Sequence, residues 1–141
     1  MGCYNSAIIN APAEKVWAAL RDFHNLDACS NVAQKLDKVG DTPGNQIGAQ
    51  RVINDAFHET LVALDDQARS FRYSIDDGPG ATAKDNVAGY IGEVQVFSVT
   101  DENKSFVSWA SSWESSGSED VAAFCNPIYQ ALLGDLKATF A

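Results

Sequence analysis

From residue 35 to residue 114 the sequence repeats one arrangement, a short strand-like run followed by a cluster of turn residues. Glycine, asparagine and aspartate dominate these clusters, as tight turns require. Short runs joined by such turns are typical of antiparallel hairpins. The pattern predicts strands at residues 35–39, 47–53, 57–64, 70–75, 87–100 and 105–114.

Helical patterns flank this meander. After a strand at residues 3–9, Pro12 begins a helix whose apolar face continues to Phe23, and it should end near residues 23–25. One further helical turn is expected within residues 26–34. A long amphipathic helix begins at Ser118, and Pro127 marks either a kink or the start of a second helix. We expect a single α+β domain over residues 1–141.

The charge and the cysteines exclude several classes of function. A net charge of −9 without any Lys/Arg cluster argues against nucleic-acid binding. Three cysteines without CxxC spacing predict neither a disulfide framework nor a zinc site, and we expect no cofactor. The N-terminus fits a myristoylation pattern, but without basic residues to support it we expect no stable membrane anchoring. A cytoplasmic monomer or homodimer is expected.

A pocket is predicted between the sheet and the last helix. Large apolar side chains converge on inward positions in greater number than a closed core of this size needs. They are Phe57, Leu61, Tyr73, Tyr90, Phe124, Ile128 and Leu132. Ligand sites of this kind have volumes of ~300–1,000 Å³. We therefore expect a small hydrophobic or aromatic molecule as the partner.

Two charged residues are expected inside the concave face. Arg51 alternates with Ile47 and Ala49, and Glu59 shares its face with Phe57, Leu61 and Ala63 on the next strand. A buried charge without a partner is costly, so the two side chains should form an ion pair.

Several segments together carry a resemblance to a family. They are IINAPAEKVWAALRDFHNLD, GAQR, ETLVALDDQARSFRYSI, Tyr90, VSWASSWE and YQALLGDLKATF. In their order and spacing they resemble the polyketide cyclase/dehydrase-like proteins of the START-related (SRPBCC, helix-grip) superfamily. The resemblance implies a curved seven-stranded antiparallel sheet wrapped around a long C-terminal helix, with two short helices closing one end. Such folds serve ligand carriers, plant hormone receptors and aromatase/cyclases.

The resemblance implies two alternatives for function. The first is a carrier or sensor that binds its ligand without chemistry, through inward residues that include Arg51, Tyr73, Tyr90, Gly92 and Ser108. The second is a cyclase or dehydrase, with Arg51 and Tyr90 polarising a carbonyl and Glu59 moving a proton. Serine at position 108, where the family is usually acidic, weakens the catalytic alternative.

Two further expectations concern the sheet's surroundings. If Ser108 faces the ligand, Trp109 and Trp113 lie on the opposite face, covering the back of the sheet or a subunit contact. Residues 76–86 are a glycine-rich loop with nothing to bury, which predicts a mobile gate at the pocket mouth.

Overall fold

A seven-stranded antiparallel sheet wraps around a long C-terminal helix, as predicted. The computed structural model describes all 141 residues. The strands are β1 (Gly2–Ile9), β2 (Leu36–Val39), β3 (Gln50–Ile53), β4 (Phe57–Asp65), β5 (Ser70–Asp77), β6 (Val87–Ala88), β7 (Ile91–Val99), β8 (Lys104–Ser112) and β9 (Ser115–Ser116). The helices are α1 (Ala13–Leu20) and α2 (Val121–Thr139), with 3₁₀ turns at Asp27–Cys29, Gly80–Thr82 and Asp101–Asn103.

The strand order in the large sheet is β1-β8-β7-β5-β4-β3-β2, and β6 and β9 form a separate pair. The β4–β5 ladder is irregular between Leu61 and Ala63. Such bulges bend a sheet and increase its twist. They also change which face a residue occupies. Ala63 pairs with the exposed Arg72, so its predicted place on the inner face was wrong.

Helix α2 fills the concavity of the sheet. Its buried side chains recur at helical spacing: Val121, Cys125, Tyr129, Leu132, Leu133 and Leu136. The carboxylate of Asp120 caps the helix by accepting from the backbone N–H of Ala123 at 3.1 Å. The helix continues through Pro127 without a break, so the alternative of a second helix starting there was wrong.

Helix α1 is shorter than predicted but is firmly attached to the sheet. It ends at Leu20, and Phe23 is buried in the segment that follows it. The indole Nε1–H of Trp17 and the guanidinium of Arg21 both donate to Asp66 in the β4–β5 turn, at 2.9 and 2.7 Å. The short α1 helix and the 3₁₀ turn at Asp27–Cys29 are the two short helical elements that the family resemblance implies.

Two predicted strands were too long. Strand β3 begins at Gln50, and Ile47 lies in the preceding loop with 58% of its surface exposed. Ala49 and Arg51 are buried as expected. The predicted strand at 87–100 divides into β6 and β7 at Gly89, whose φ of 70° lies in the left-handed region that glycine tolerates.

The connection at residues 76–86 is more ordered than its composition suggested. It holds a 3₁₀ turn in which Ala81 and Thr82 are buried. The Thr82 hydroxyl donates to the carbonyl of Pro79 at 2.7 Å, and the Asn86 amide donates to the carbonyl of Ala81 at 2.8 Å. The expectation that this loop has nothing to bury was therefore wrong.

None of the helices combines the length with the apolar character that crossing a membrane would need.

Candidate functional site

A small cavity lies between the sheet and α2. Its wall is almost entirely apolar, and both the sheet and α2 contribute to it. It is lined by Leu26, Arg51, Ile53, Phe57, Glu59, Tyr73, Ile75, Tyr90, Trp109, Cys125, Ile128, Tyr129 and Leu132.

The cavity has a volume of about 40 Å³, room for a few water molecules. The predicted volume of ~300–1,000 Å³ was therefore wrong for this conformation. The difference has a structural cause, because the large rings of Tyr73, Tyr90, Trp109 and Tyr129 line the cavity and fill much of the space. Trp109 stacks on Tyr129 with ring centroids 5.8 Å apart, and Tyr90 stacks on Trp113 at 5.9 Å.

The ion pair between Arg51 and Glu59 is confirmed. The two residues are directly opposed on β3 and β4, and only 2% and 6% of their surfaces are exposed. Nε of Arg51 donates to Oε1 of Glu59 at 2.8 Å, and Nη2 lies 2.7 Å from the same oxygen as an ion pair. Burial raises the pKa of the Glu59 carboxyl above its usual value, and the charge of Arg51 offsets part of that rise.

Phe23 completes the environment of the guanidinium. Nη1 of Arg51 donates to the Phe23 carbonyl at 3.1 Å. The guanidinium carbon also lies 3.8 Å from the centroid of the Phe23 ring, which is a cation–π contact. All three guanidinium nitrogens are thus used within the protein, and the arginine fastens the segment after α1 to the sheet.

A chain of hydroxyl groups runs along the cavity wall. The Nε1–H of Trp109 donates to the Tyr73 hydroxyl at 2.9 Å, and that hydroxyl donates to the Tyr129 hydroxyl at 3.2 Å. Tyr129 and Tyr90 share a further hydrogen bond, and Tyr90 donates to Sγ of Cys125 at 3.4 Å. Burial raises the pKa of all three phenols well above the usual value, so they remain protonated at neutral pH.

The glycine at position 92 makes room for this chain. Gly92 lies opposite Tyr73 on the neighbouring strand, and a Cβ atom there would overlap the Tyr73 ring and its hydroxyl. From the sequence, Gly92 was expected among the inward residues that bind the ligand, where the missing side chain leaves space. In the structure that space holds Tyr73.

The remaining predicted site residues have different positions. Phe57, Ile128 and Leu132 line the cavity, whereas Leu61 is buried in the core beside it. Phe124 contacts Gly80 in the 76–86 segment and does not line the cavity.

Ser108 was placed on the wrong face of the sheet. On β8 the inner face carries Ser105, Val107, Trp109 and Ser111, which are buried, whereas Ser108 alternates with them and points to the outer face. Its low exposure comes from its central position between Ser6 and Gln95 on the neighbouring strands. The prediction that Trp109 and Trp113 cover the back of the sheet was correspondingly wrong.

Sequence reasoning missed six of the residues that line the cavity: Leu26, Ile53, Ile75, Trp109, Cys125 and Tyr129. A signal was present for Trp109 and for Tyr129. Val107 and Trp109 in β8 and Trp113 just after it share one parity, and only Phe106 opposes them, which favours their face as the buried one. Tyr129 follows Cys125 by four residues, which places both on the same side of α2.

The outer end of the cavity is closed by half-buried apolar side chains. A Cβ at Gly78 would lie 3.4 Å from the Phe57 ring, and one at Gly80 would lie 2.7 Å from the Phe124 ring. The 78–82 segment therefore bridges β4 and α2. Phe57, Ile75 and Ile128 are only partly buried, so this is where the cavity comes closest to solvent.

Comparison with known proteins adds to this geometry. A family model described as "Polyketide cyclase / dehydrase and lipid transport" matches residues 3–141. A solved structure from Nitrosospira multiformis is 34% identical with a TM-score of 0.95, covering 100% of this chain and 97% of that one. The protein XoxI from Bacillus cereus is 23% identical with a TM-score of 0.80, covering 99% and 94% of the two chains.

A plant protein shares the same architecture. Ginseng major latex-like protein 151 from Panax ginseng is 13% identical with a TM-score of 0.78, covering 100% of this chain and 97% of that one. At such identities the likeness of this protein and of XoxI concerns the fold alone, which is the predicted helix-grip fold. No curated protein matches the chain.

Proposed function

The chain belongs to the polyketide cyclase/dehydrase and lipid transport family, and on that premise we propose that it binds a small apolar or aromatic molecule between the sheet and α2. The family match confirms the resemblance drawn from the sequence. One observation carries the proposal. An apolar cavity borders on a buried ion pair and three phenols, so a ligand would meet both contact area and directional polar groups.

Binding a molecule of more than a few atoms requires the cavity to expand. Phe57, Ile75 and Ile128 at its outer end are the half-buried side chains of the wall, so they can move outward with the least loss of burial. The 78–82 segment lies against Phe57 and Phe124, so their movement and that of the segment are coupled. A gate at this position stays a prediction. We expect the amides of residues 78–82 to exchange more slowly with solvent once a ligand is bound.

An enzymatic function in the same cavity has one observation in its favour. Glu59 lines an apolar cavity and has a raised pKa, which suits a group that moves a proton. Two observations weigh against it. Arg51 already directs two N–H donors, on Nε and Nη1, to Glu59 and Phe23, and burial makes the phenols of Tyr73 and Tyr90 hold their protons too tightly for acid catalysis. Binding without chemistry therefore has the stronger support.

The test combines native mass spectrometry with a blocking variant. We expect a small molecule to accompany freshly purified protein, and calorimetric titration to detect the binding of one or more of a panel of small aromatic probes. Ile128→Trp fills the outer end of the cavity and should abolish both signals. Ile8→Trp is the matched control, since Ile8 is 46% exposed on the outer face of the sheet. Absence of binding to the wild type, or equal binding by Ile128→Trp, would refute the proposal.

A further inference from the structure

The large sheet has two edges, and one of them lacks the features that keep an edge from pairing. Strand β1 (Gly2–Ile9) forms that edge, because within the sheet it pairs only with β8. We propose that β1 pairs antiparallel with β1 of a second copy of this chain, so that two sheets join into one across a two-fold axis. The inference concerns the rim of the sheet and does not depend on the proposed binding function.

Alternate residues of β1 have no backbone hydrogen-bond partner. The N–H of Trp113 donates to the carbonyl of Met1 at 3.3 Å, which fixes the phase of the β1–β8 ladder. Bonded and non-bonded positions alternate in an antiparallel pair, so odd-numbered residues of β1 bond to β8 and even-numbered ones direct their backbone groups away from it. No other part of the chain bonds to those groups. The four residues concerned are all exposed: Gly2, Tyr4, Ser6 and Ile8.

The opposite edge of the sheet shows what β1 lacks. Strand β2 has four residues, and Asp37 and Lys38 lie within it. Short length and charge are two ways in which proteins keep a sheet edge from pairing with other chains. Strand β1 has eight residues, no charged side chain, no proline and an unbroken register of eight pairs with β8. In a chain of net charge −9, this neutral edge is where two copies can approach each other with the least repulsion.

An apolar row on the outer face ends at the same edge. Phe97, Phe106 and Ile8 are in register on β7, β8 and β1, and the rings of Phe97 and Phe106 lie 5.9 Å apart. Ile8 is 46% exposed, and Tyr4 on the same strand is 61% exposed. Antiparallel pairing with Ser6 on the two-fold axis places Tyr4 of the second copy opposite Ile8. An aromatic side chain opposite a β-branched one is a favourable cross-strand pair, so the row continues into the second copy.

The sequence of β1 is complementary to itself in this register. The free N–H and C=O groups of Tyr4, Ser6 and Ile8 all find partners on the second copy, which gives about six hydrogen bonds. On the inner face, Asn5 lies opposite Ala7 of the second copy, and the reverse pair follows by symmetry. The same patch thus serves both copies, as a two-fold dimer requires.

An open trough beside β1 has room for the inner side chains of the second strand. It has a volume of about 300 Å³ and lies between β1 and α2. A Cβ atom at Gly134 would meet nothing within 4 Å, so this part of α2 leaves the trough open. The small side chains of Asn5 and Ala7 from a second copy can enter it. The residues that line it are Asn5, Ser6, Ala7, Gln130, Leu133, Gly134 and Lys137.

Sedimentation equilibrium of the full chain measures the association. An interface formed by one pair of strands is small, and small interfaces give weak dimers. The concentration should therefore reach about 1 mM, in physiological salt that screens the repulsion between the two chains. We expect an equilibrium between monomer and dimer without larger species, because one dimer uses both β1 edges.

Three variants locate the contact. Ser6→Pro removes an N–H that points away from β8, so the sheet of each copy keeps its own hydrogen bonds. Because Ser6 lies on the axis, both central hydrogen bonds of the dimer are lost, and the dissociation constant should rise by about tenfold or more. Tyr4→Lys places a charge on the edge and should act in the same direction. Phe97→Lys is the matched control, since it makes the same kind of change on the outer face, two strands from the edge. It should leave the dimer intact, and thermal unfolding verifies that all three fold.

Tyr4 and Ile8 report the register directly. Within one strand they are about 13 Å apart, which is too far for a nuclear Overhauser effect between the Tyr4 ring and the Ile8 methyl groups. In the dimer the two side chains are cross-strand neighbours. We expect this effect to appear as the protein concentration rises and to be absent in Ser6→Pro.

A chain that stays monomeric up to about 1 mM would overturn the inference. So would a dimer that both Ser6→Pro and Tyr4→Lys leave intact, and one that Phe97→Lys alone disrupts would place the contact on the outer face. If both edge variants weaken the dimer but Tyr4 and Ile8 show no contact, the register with Ser6 on the axis is wrong. None of these results bears on the cavity, whose lining includes no residue of β1.

Discussion

Removing one member of the buried ion pair should destabilise the protein severely. In Arg51→Met the Glu59 carboxylate stays inside the fold without its partner. In Glu59→Leu the Arg51 guanidinium is left buried in the same way. With exposures of 2% and 6%, neither group can recover hydration by a small rearrangement. The expected loss is about 3–5 kcal/mol for each single variant, a large share of the 5–15 kcal/mol typical of a domain.

The double variant Arg51→Met/Glu59→Leu carries the sharper expectation. Two apolar side chains of similar length leave no uncompensated charge, so most of the lost stability should return. The two single effects should therefore be strongly non-additive. Urea denaturation measures this, and with a slope of roughly 2 kcal/mol per molar the midpoints of the single variants should fall by about 2 M.

A second pair on the same sheet provides the control. Arg72 and Glu93 are opposed on β5 and β7, but their side chains are 54% and 46% exposed and their charged atoms are 3.6 Å apart. Arg72→Met and Glu93→Leu should each change stability by less than about 1 kcal/mol.

The pH dependence checks the cause. In Arg51→Met, the pKa of Glu59 in the folded state lies above its unfolded value, so the folded state holds the proton more tightly. The stability that the protonated Glu59 carboxyl contributes to Arg51→Met is then fully present below about pH 4.3. It is lost as the pH rises through the folded-state pKa of Glu59. The free energy of unfolding of Arg51→Met should thus lie further below that of the double variant at pH 7 than at pH 4. Additive single effects, or a deficit that does not vary with pH, would refute the reasoning.

Two further predictions concern packing and the thiols. Gly92→Ala should destabilise the protein by about 1–3 kcal/mol in urea denaturation, because the added Cβ overlaps Tyr73. Gly134→Ala, in open space on α2, should instead stabilise the protein by about 0.5–1 kcal/mol. Changes in the free energy of unfolding of the same sign for both variants would contradict this. Burial raises the pKa of Cys29 to about 12 and that of Cys125 to about 11, so in native protein at pH 8 a thiol reagent should modify the half-buried Cys3 first. The fast labelling phase should be absent in Cys3→Ser. Labelling of all three cysteines of the wild type at one rate would show that the fold opens globally.

Side-chain periodicity was sufficient to predict the main elements. Alternation and turn residues predict all seven strands of the large sheet, and helical spacing from Val121 onward predicts α2. The pairing of Arg51 with Glu59 also followed from the sequence, because both are inward positions on adjacent strands and an unpaired charge there would be costly. The strands are joined by the three-residue turn 54–56, which places the two residues directly opposite each other. The predictions failed where a boundary depended on backbone geometry, as at Ile47, Gly89 and the end of α1.

The composition of the cavity wall could be predicted only in part. Tyr73 and Tyr90 were identified, but Trp109 was assigned to the outer face because the resemblance led us to treat Ser108 as a ligand residue. A one-residue error in strand parity exchanges every inner residue of β8 for an outer one. Tyr129 was overlooked because its role depends on which strands face that turn of α2.

The sequence by itself determined the order of elements, the antiparallel meander and the charged pair, since these follow from local periodicity and from the cost of burying an unpaired charge. Only the tertiary structure decided how much space remains between the sheet and α2, and which side chains meet there. The hydroxyl chain joins Tyr73, Tyr90, Trp109 and Tyr129, which come from β5, the β6–β7 connection, β8 and α2. These hydrogen bonds form only once the curvature of the sheet brings the separated residues into contact.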